Sequence, residues 1–197
     1  MDNKAPLYNS RISNTYLEYI SSNYPELEIP PLLEYAGIEN NEIEDPAHWL
    51  TQDQVDRLHE IMVLKTGNPD LAREAGRYTI LSKKLGAMKQ YTMGLMSPAM
   101  VYLATGKLYR TMSRGARIET KSIRSNLVHV KATPNSGVDE KPYQCANRMG
   151  TLESLPKLFS DDVATVKHPK CYHRGDDACI YMISWASAQS MLWVRPG

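Results

Sequence analysis

The sequence has few cysteines, a single phenylalanine and no long apolar run. Its 197 residues include three cysteines and one phenylalanine, against ten methionines and twelve tyrosines. So small and odd a number of cysteines does not form a disulfide framework, which leaves metal binding, catalysis or burial as their roles. The first ten residues lack the apolar segment of a secretion signal, and the longest uncharged stretch, residues 90–106, is too short and polar to span a membrane. We therefore expect a cytoplasmic protein with no membrane span.

The chain also lacks an excess of either charge. Its 23 basic and 22 acidic residues leave a net charge of +1, which gives no electrostatic argument for direct binding to nucleic acid or to a membrane surface. The sequence contains no G-x-G-x-x-G, no P-loop and no H-E-x-x-H motif, so nucleotide and protease chemistry have no motif to rest on. At this length, one compact domain of ordinary core size is expected.

Hydrophobic periodicity predicts helices in the first half of the chain. Thr51 and Gln54 form a T-x-x-Q capping box ahead of an apolar helical stripe, and Gly67 is suited to end that helix. Two further helices are predicted to begin at Asn68 and at Ser97, because each is followed by a proline at the first helical position.

Short β-branched runs with alternating polarity predict strands in the second half. Between the two strand pairs lies a more helical segment, residues 143–159, which is expected to be interrupted at Gly150 and Pro156. The four strand-like runs are residues 116–123, 126–133, 162–168 and 178–185.

Three regions are expected along the chain. Residues 1–50 are predicted to be an N-terminal helical arm with a short helix in "SNTYLEYISSNY", residues 13–24. Residues 51–185 are predicted to be the main domain, and residues 186–197 a linker to a possible downstream effector domain. The arm is too short for a core of its own, so its apolar residues need a surface to be buried against, and we expect a homodimer. These residues are Tyr16, Leu17, Tyr19 and Ile20.

The stretch "KHPKCYHRGDDAC", residues 167–179, places two cysteines eight positions apart around a turn. A turn centred on Gly175 sets Cys171 opposite Cys179 in an antiparallel hairpin. Opposed β positions have Cβ atoms about 4.5 to 5.5 Å apart, from which two thiolates can bind one metal ion. Further candidate ligands are His168, His173 and Cys145.

Other roles for these thiols stay open at this point. The cysteines can be small buried hydrophobic residues beside solvated histidines, and this alternative needs no metal. A nucleophilic Cys171 activated by His168 or His173 is a further alternative. A disulfide across the hairpin is the least favoured in a reducing compartment.

The segment "HPKCYHRGDDACIYMISW" resembles the closing motif of the 4-vinyl reductase, or hydrocarbon-binding, domain found in bacterial sensors of phenol and toluene-like compounds. That motif has two cysteines eight positions apart around Gly-Asp, with another cysteine some 26 residues upstream, and all three positions match here. A histidine stands where the family has a glutamate ligand. The resemblance implies a structural zinc site formed by Cys145, His168, Cys171 and Cys179.

The resemblance also implies the fold. It predicts an α/β (α+β) architecture in which helices pack on a twisted antiparallel sheet, as in TRAPP trafficking subunits and, distantly, in haem nitric-oxide sensors. The order of elements predicted from periodicity agrees with this architecture.

The function implied by the resemblance is a non-enzymatic sensing domain of a bacterial signal-transduction or transcription regulator. A small apolar or aromatic ligand would bind between the helices and the sheet, and Met93, Met96 and Tyr102 are candidate wall residues. The zinc-clamped hairpin would couple occupancy to the effector. Two alternatives remain: an enzyme or accessory protein of tetrapyrrole vinyl-group reduction, for which no cofactor motif is present, and an assembly module like the TRAPP subunits.

Overall fold

A computed structural model describes residues 5–83, 97–161 and 163–186 of the chain. Helices dominate the first half of these ranges and antiparallel strands the second half. In chain order the elements are β1 (Pro6–Asn9), α1 (Ser10–Asn23), α2 (Ile29–Ala36), α3 (Asn40–Glu44), β2 (Trp49–Thr51), α4 (Gln52–Thr66), α5 (Leu71–Tyr78), α6 (Pro98–Arg110), β3 (Ala116–Arg124), β4 (Leu127–Pro134), α7 (Pro142–Ser154), β5 (Thr165–Lys170) and β6 (Cys179–Ser184).

The strands β3 to β6 form one antiparallel sheet in the order β3-β4-β6-β5. Alternate side chains of β4 and β6 are buried, because one face of the sheet packs on the helices. Val128, Val130 and Tyr181 lie in this buried layer together with Tyr102 of α6. The predicted fold class, an α/β (α+β) arrangement of helices packed on an antiparallel sheet, is confirmed.

The N-terminal residues form a helical layer that belongs to the same chain. β1 pairs with β2, and α1 packs against α5. The apolar residues that were expected to need a partner surface are buried in a core shared with α2, α4 and α5, and they are Tyr16, Leu17, Tyr19 and Ile20. The argument for a homodimer therefore loses its basis, although dimerisation itself and the division into three regions stay predictions.

Most helix signals in the sequence act as expected. The capping box is present, since the Thr51 hydroxyl accepts from the Gln54 amide and the Gln54 side chain accepts from the Thr51 amide. Gly67 ends α4 with φ +66°, a conformation that glycine adopts without steric cost. The Ser97 side chain caps α6 as predicted.

Two helix boundaries differ from the prediction. α5 begins at Leu71 rather than directly after Asn68, because the Asn68 side chain accepts a hydrogen bond from the Asp70 amide and forms a local turn. Gly150 does not interrupt the following helical segment but lies inside α7. Among the described residues, no helix is both long enough and apolar enough to cross a membrane.

Candidate functional site

Three thiols and one imidazole converge where the β5–β6 hairpin meets α7. Cys145 lies in α7, His168 in β5, Cys171 directly after β5, and Cys179 at the start of β6. All three thiols are buried and free of disulfides. One potential ligand atom from each of the four residues lies within 4.8 Å of the others. We call these four residues the Cys–His cluster.

The hairpin turn holds two members of the cluster by local hydrogen bonds. The Asp176 carboxylate accepts from the Cys171 amide at 2.7 Å, and the Arg174 guanidinium donates to the His168 carbonyl at 2.7 Å. Gly175 has φ +94°, as the predicted turn requires. The Arg-Gly-Asp turn therefore fixes the spacing between β5 and β6 at the cluster.

The distances within the Cys–His cluster suit tetrahedral coordination. The Sγ atoms of Cys145 and Cys179 are 3.8 Å apart, and Cys145 Sγ lies 3.8 Å from His168 Nε2. Two thiolates bound at about 2.3 Å to one tetrahedral ion would lie roughly 3.8 Å apart. The hydrogen bond between the two thiols lowers the pKa of Cys179 and raises that of Cys145, so Cys179 ionises first.

A buried polar network leads away from the cluster. The Tyr181 ring stacks on His168 with centroids 4.5 Å apart, and the Tyr181 hydroxyl lies 3.1 Å from Cys145 Sγ. Arg148 donates to the same hydroxyl at 3.1 Å and to the Glu140 carboxylate at 2.8 Å. This arrangement satisfies charges that would be costly to bury alone.

Arg148 is also part of the wall of a cavity between the helical layer and the sheet. The cavity has a volume of about 230 Å³ and is bounded by α1, α4, α6, α7, β3 and β4. Most of its wall is apolar, and representative residues are Ile12, Val55, Val101, Ile118, Val130 and Leu152. A mostly apolar cavity with a few polar groups is the usual form of a small-molecule site.

Several polar side chains of this wall have atoms without partners. Within the described part of the chain, the hydroxyls of Ser13 and Tyr16 form no hydrogen bond. His59 Nε2 and Arg148 Nε are buried with no partner. The His59 ring stacks on Tyr143 with centroids 4.0 Å apart. Burial lowers the pKa of His59 to about 4, so its imidazole is neutral at pH 7.

The structure brings together all four residues of the predicted metal site. His173, the other candidate for the fourth position, lies outside the Cys–His cluster and contacts the Glu140 carboxylate at 3.6 Å. The geometry therefore selects His168 as the histidine of the cluster.

The predicted ligand-binding residues are placed differently. Tyr102 is fully buried and is not among the residues that line the cavity. Its hydroxyl donates to the Leu152 carbonyl at 2.7 Å, and its ring stacks on Trp185. The hydroxyl that was expected to contact a ligand is thus already paired. Met93 and Met96 lie outside the described residues.

Comparison with known proteins identifies the fold. No protein-family profile matches the chain, and no curated protein matches it. Among solved structures, an H-NOX protein from S. oneidensis in the Fe(II)NO state matches with a TM-score of 0.71 and 13% identity over 91% of this chain and 99% of that chain. An oxygen-binding H-NOX domain related to soluble guanylate cyclases gives 0.70 and 16% over 91% and 95%.

A third match concerns haem directly. A structure described as modulating haem redox potential through protein-induced porphyrin distortion matches with a TM-score of 0.68 and 15% identity, over 89% of this chain and 99% of that chain. At such low identity these likenesses establish the fold, which is that of H-NOX proteins.

These structures correct two expectations from the sequence. The proteins that share the fold are H-NOX proteins, so the assignment to the 4-vinyl reductase domain and the TRAPP subunits is wrong. Zinc was expected as the cofactor, whereas these neighbours are described as haem or Fe(II) proteins, so that expectation is wrong as well.

The described part of the cavity wall does not fit a haem. Haem needs an axial ligand, and it carries two propionate carboxylates that require polar or cationic partners. His59 could offer the axial nitrogen, but Arg148 is the one Lys or Arg side chain among the described wall residues, and it already pairs with the buried Glu140. A volume of about 230 Å³ is also below the roughly 300 to 1,000 Å³ of common ligand pockets.

Proposed function

We propose that this chain is a sensing domain that binds a small, largely apolar molecule in the cavity between its helices and its sheet. The observation that carries the proposal is the cavity itself, since well-packed cores contain few voids larger than a water molecule. The shared fold adds support, because one neighbour is described as an oxygen-binding domain related to guanylate cyclases.

In this proposal the chain binds its ligand and does not convert it. A route for the signal is available, because Arg148 belongs to the cavity wall and donates to Tyr181, whose hydroxyl contacts Cys145 of the Cys–His cluster. A ligand that displaces Arg148 would thereby change the contacts of the hairpin. A downstream effector domain and a cytoplasmic location are further parts of this proposal.

A thermal-shift screen tests ligand binding. A ligand that binds only the folded state raises the free energy of unfolding by about 2.7 kcal/mol at a hundredfold excess over Kd. We expect a shift from at least one member of a set of small alkylbenzenes, phenols, indoles and short alcohols. Replacing Val101 of the cavity wall by Phe should abolish the shift, because the larger side chain occupies the cavity.

The matched control is Leu103→Phe on the same helix, whose side chain is exposed and not part of the wall. This variant should respond to the ligand as the unmodified protein does. If no compound in the set shifts the melting temperature, or if Val101→Phe responds normally, the cavity is not a binding site and the proposal fails.

We also propose that the Cys–His cluster holds one metal ion. The support is the chemistry and geometry of the four residues: three thiols and an imidazole with ligand atoms within 4.8 Å of one another. Such a set offers sulfur and nitrogen donors to one ion. Binding would release protons from the thiols and would stabilise the hairpin against unfolding.

Co²⁺ is a suitable probe, because tetrahedral thiolate coordination gives it strong visible absorption. We expect one equivalent to bind to the reduced, metal-free chain, and His168→Ala to weaken binding and alter the spectrum. The control is His173→Ala, which removes a neighbouring imidazole outside the cluster and should leave the spectrum unchanged. Identical titrations for His168→Ala and the unmodified chain would contradict the assignment.

A further inference from the structure

One end of the cavity carries hydroxyl groups that lack partners. Ser13 and Tyr16 are three residues apart on α1, so their side chains share a face of that helix, and both line the cavity. Their side chains are almost fully buried, with residue exposures of 3% and 6%. Neither hydroxyl forms a hydrogen bond within the ranges that the structure describes.

Unpaired hydroxyls of this kind need an explanation. Buried tyrosine and serine hydroxyls in folded proteins usually have a hydrogen-bond partner, and removing a partner costs free energy. Two other tyrosines of the wall have partners, since the Tyr8 hydroxyl donates to Gln52 and the Tyr143 hydroxyl donates to Asp56. The Ser13–Tyr16 end is therefore a part of the wall where hydroxyl partners are missing.

The same end is polar but uncharged. The ring of His59 lies 6.5 Å from that of Tyr16, and its Nε2 atom is also without a partner. Burial raises the pKa of Tyr16 and lowers that of His59, so both side chains are neutral at pH 7. Arg148, the one charged side chain of the described wall, forms an ion pair with Glu140, although its Nε atom has no partner. Asp56, which contacts the wall residue Tyr143, accepts from two donors.

We propose that the ligand is an uncharged molecule with an apolar body and one hydroxyl group, which hydrogen-bonds to Tyr16 and Ser13. This inference rests on the proposed sensing function and specifies its ligand class. A ligand hydroxyl donates one hydrogen bond and accepts up to two. It can therefore accept from the hydroxyls of Tyr16 and Ser13 and donate to the Nε2 atom of His59. An ionised ligand would be excluded, because no free countercharge is present on the described wall.

The experiment compares pairs of compounds that have the same shape and differ in the hydroxyl. Suitable pairs are benzyl alcohol with ethylbenzene and cyclohexanol with methylcyclohexane, each titrated into the full chain. A site built to pair a hydroxyl rejects the analogue that lacks it, so the alcohol should bind at least about tenfold more tightly. Tyr16→Phe should remove most of this preference while leaving the affinity for the hydrocarbon unchanged.

Tyr19→Phe on the same helix is the matched control, because the Tyr19 hydroxyl donates to Glu74 and Tyr19 does not line the cavity. It should keep the full preference for the alcohol. If Tyr16→Phe does not fold, Ser13→Ala provides a second test and should also reduce the preference.

The outcomes separate this inference from the proposed function. If both members of each pair bind equally well, or if both Tyr16→Phe and Ser13→Ala keep the tenfold preference, the polar end does not recognise a hydroxyl, while ligand binding itself stands. If no alcohol and no hydrocarbon binds at all, the inference and the proposed function are both overturned.

Discussion

Glu153 shows how single residues connect the helical layer to the site. It lies in α7 and is buried, yet it accepts hydrogen bonds from Arg73 and Arg77 of α5. Burial raises the pKa of Glu153, but the two guanidinium groups outweigh burial and lower the pKa below its ordinary value of 4.5. The charged carboxylate is therefore the form that the folded state favours.

We expect Glu153→Gln to lower the free energy of unfolding by about 1 kcal/mol at pH 7. The loss is modest because the arginine side chains are 36% and 49% exposed and solvent screens them. A group with a lowered pKa stabilises the fold above its unfolded-state pKa and ceases to do so as the pH falls through its folded-state pKa. Urea unfolding from pH 7 to pH 3 should therefore show the two proteins converging below about pH 4.5.

The control for this prediction is Glu119→Gln on β3. Glu119 pairs with Arg117 at 3.4 Å, but both side chains are largely exposed, so its loss should have no measurable effect. A Glu153→Gln protein as stable as the unmodified chain at pH 7, or a stability difference that persists unchanged to pH 3, would refute the assignment.

At the residue scale, the hairpin pattern predicted that Cys171 and Cys179 lie close together, whereas Cys145 and His168 were assigned to the site only by the resemblance, and the cavity wall was not predicted. Cysteines are rare in this chain, and a glycine turn places two of them opposite each other, so their proximity follows from hairpin geometry. Tyr16 and His59 gave a weaker signal. His59 lies four residues after Val55 and three before Met62, which places it in the apolar stripe of α4, but a pattern does not reveal which buried polar atoms lack partners.

At the element scale, the contact between α5 and α7 positions the part of the cavity wall that α7 provides. A side chain at Gly150 would place its Cβ 1.9 Å from the Arg73 carbonyl oxygen, and one at Gly76 would place its Cβ 2.2 Å from the Asn147 carbonyl oxygen. The two helices therefore approach through two glycines, which no other residue could replace without separating the helix backbones. This close approach places Asn147 and Arg148 on the wall of the cavity.

Elements with a strong local signal were predictable. The capping box at Thr51 and the alternating runs that form β3 and β4 depend on neighbours in sequence, so they could be recognised without the tertiary structure. Gly150 was misjudged, because a glycine required for helix–helix contact has the same sequence pattern as one that ends a helix. The N-terminal helix α1 was predicted as a helix, but its burial depends on α4 and α5, which are distant in sequence.

At the scale of the whole molecule, the fold does not determine the chemical class of the ligand. The chain shares its fold with H-NOX proteins at TM-scores of about 0.7, yet identity is 13% to 16%, so the likeness establishes the fold and not the ligand. In this chain the single Arg of the described wall is neutralised by Glu140, and the polar end consists of neutral groups. The same architecture can therefore enclose a different class of ligand.

Titration of haemin into the full chain tests whether the cavity excludes haem. We expect no stoichiometric complex and no sharp Soret band, because the wall residues that the structure describes offer no free cation for the propionates and the volume of about 230 Å³ is small. His59→Leu removes the single histidine among the described wall residues. Because we expect no haem iron to bind His59, any weak absorbance change should be the same in this variant. A one-to-one complex whose Soret band is lost in His59→Leu would instead mean that the wall rearranges to admit haem, with His59 as the axial ligand. Because the alcohol and hydrocarbon titrations measure occupancy of the same cavity, haemin should also fail to compete with a bound alcohol.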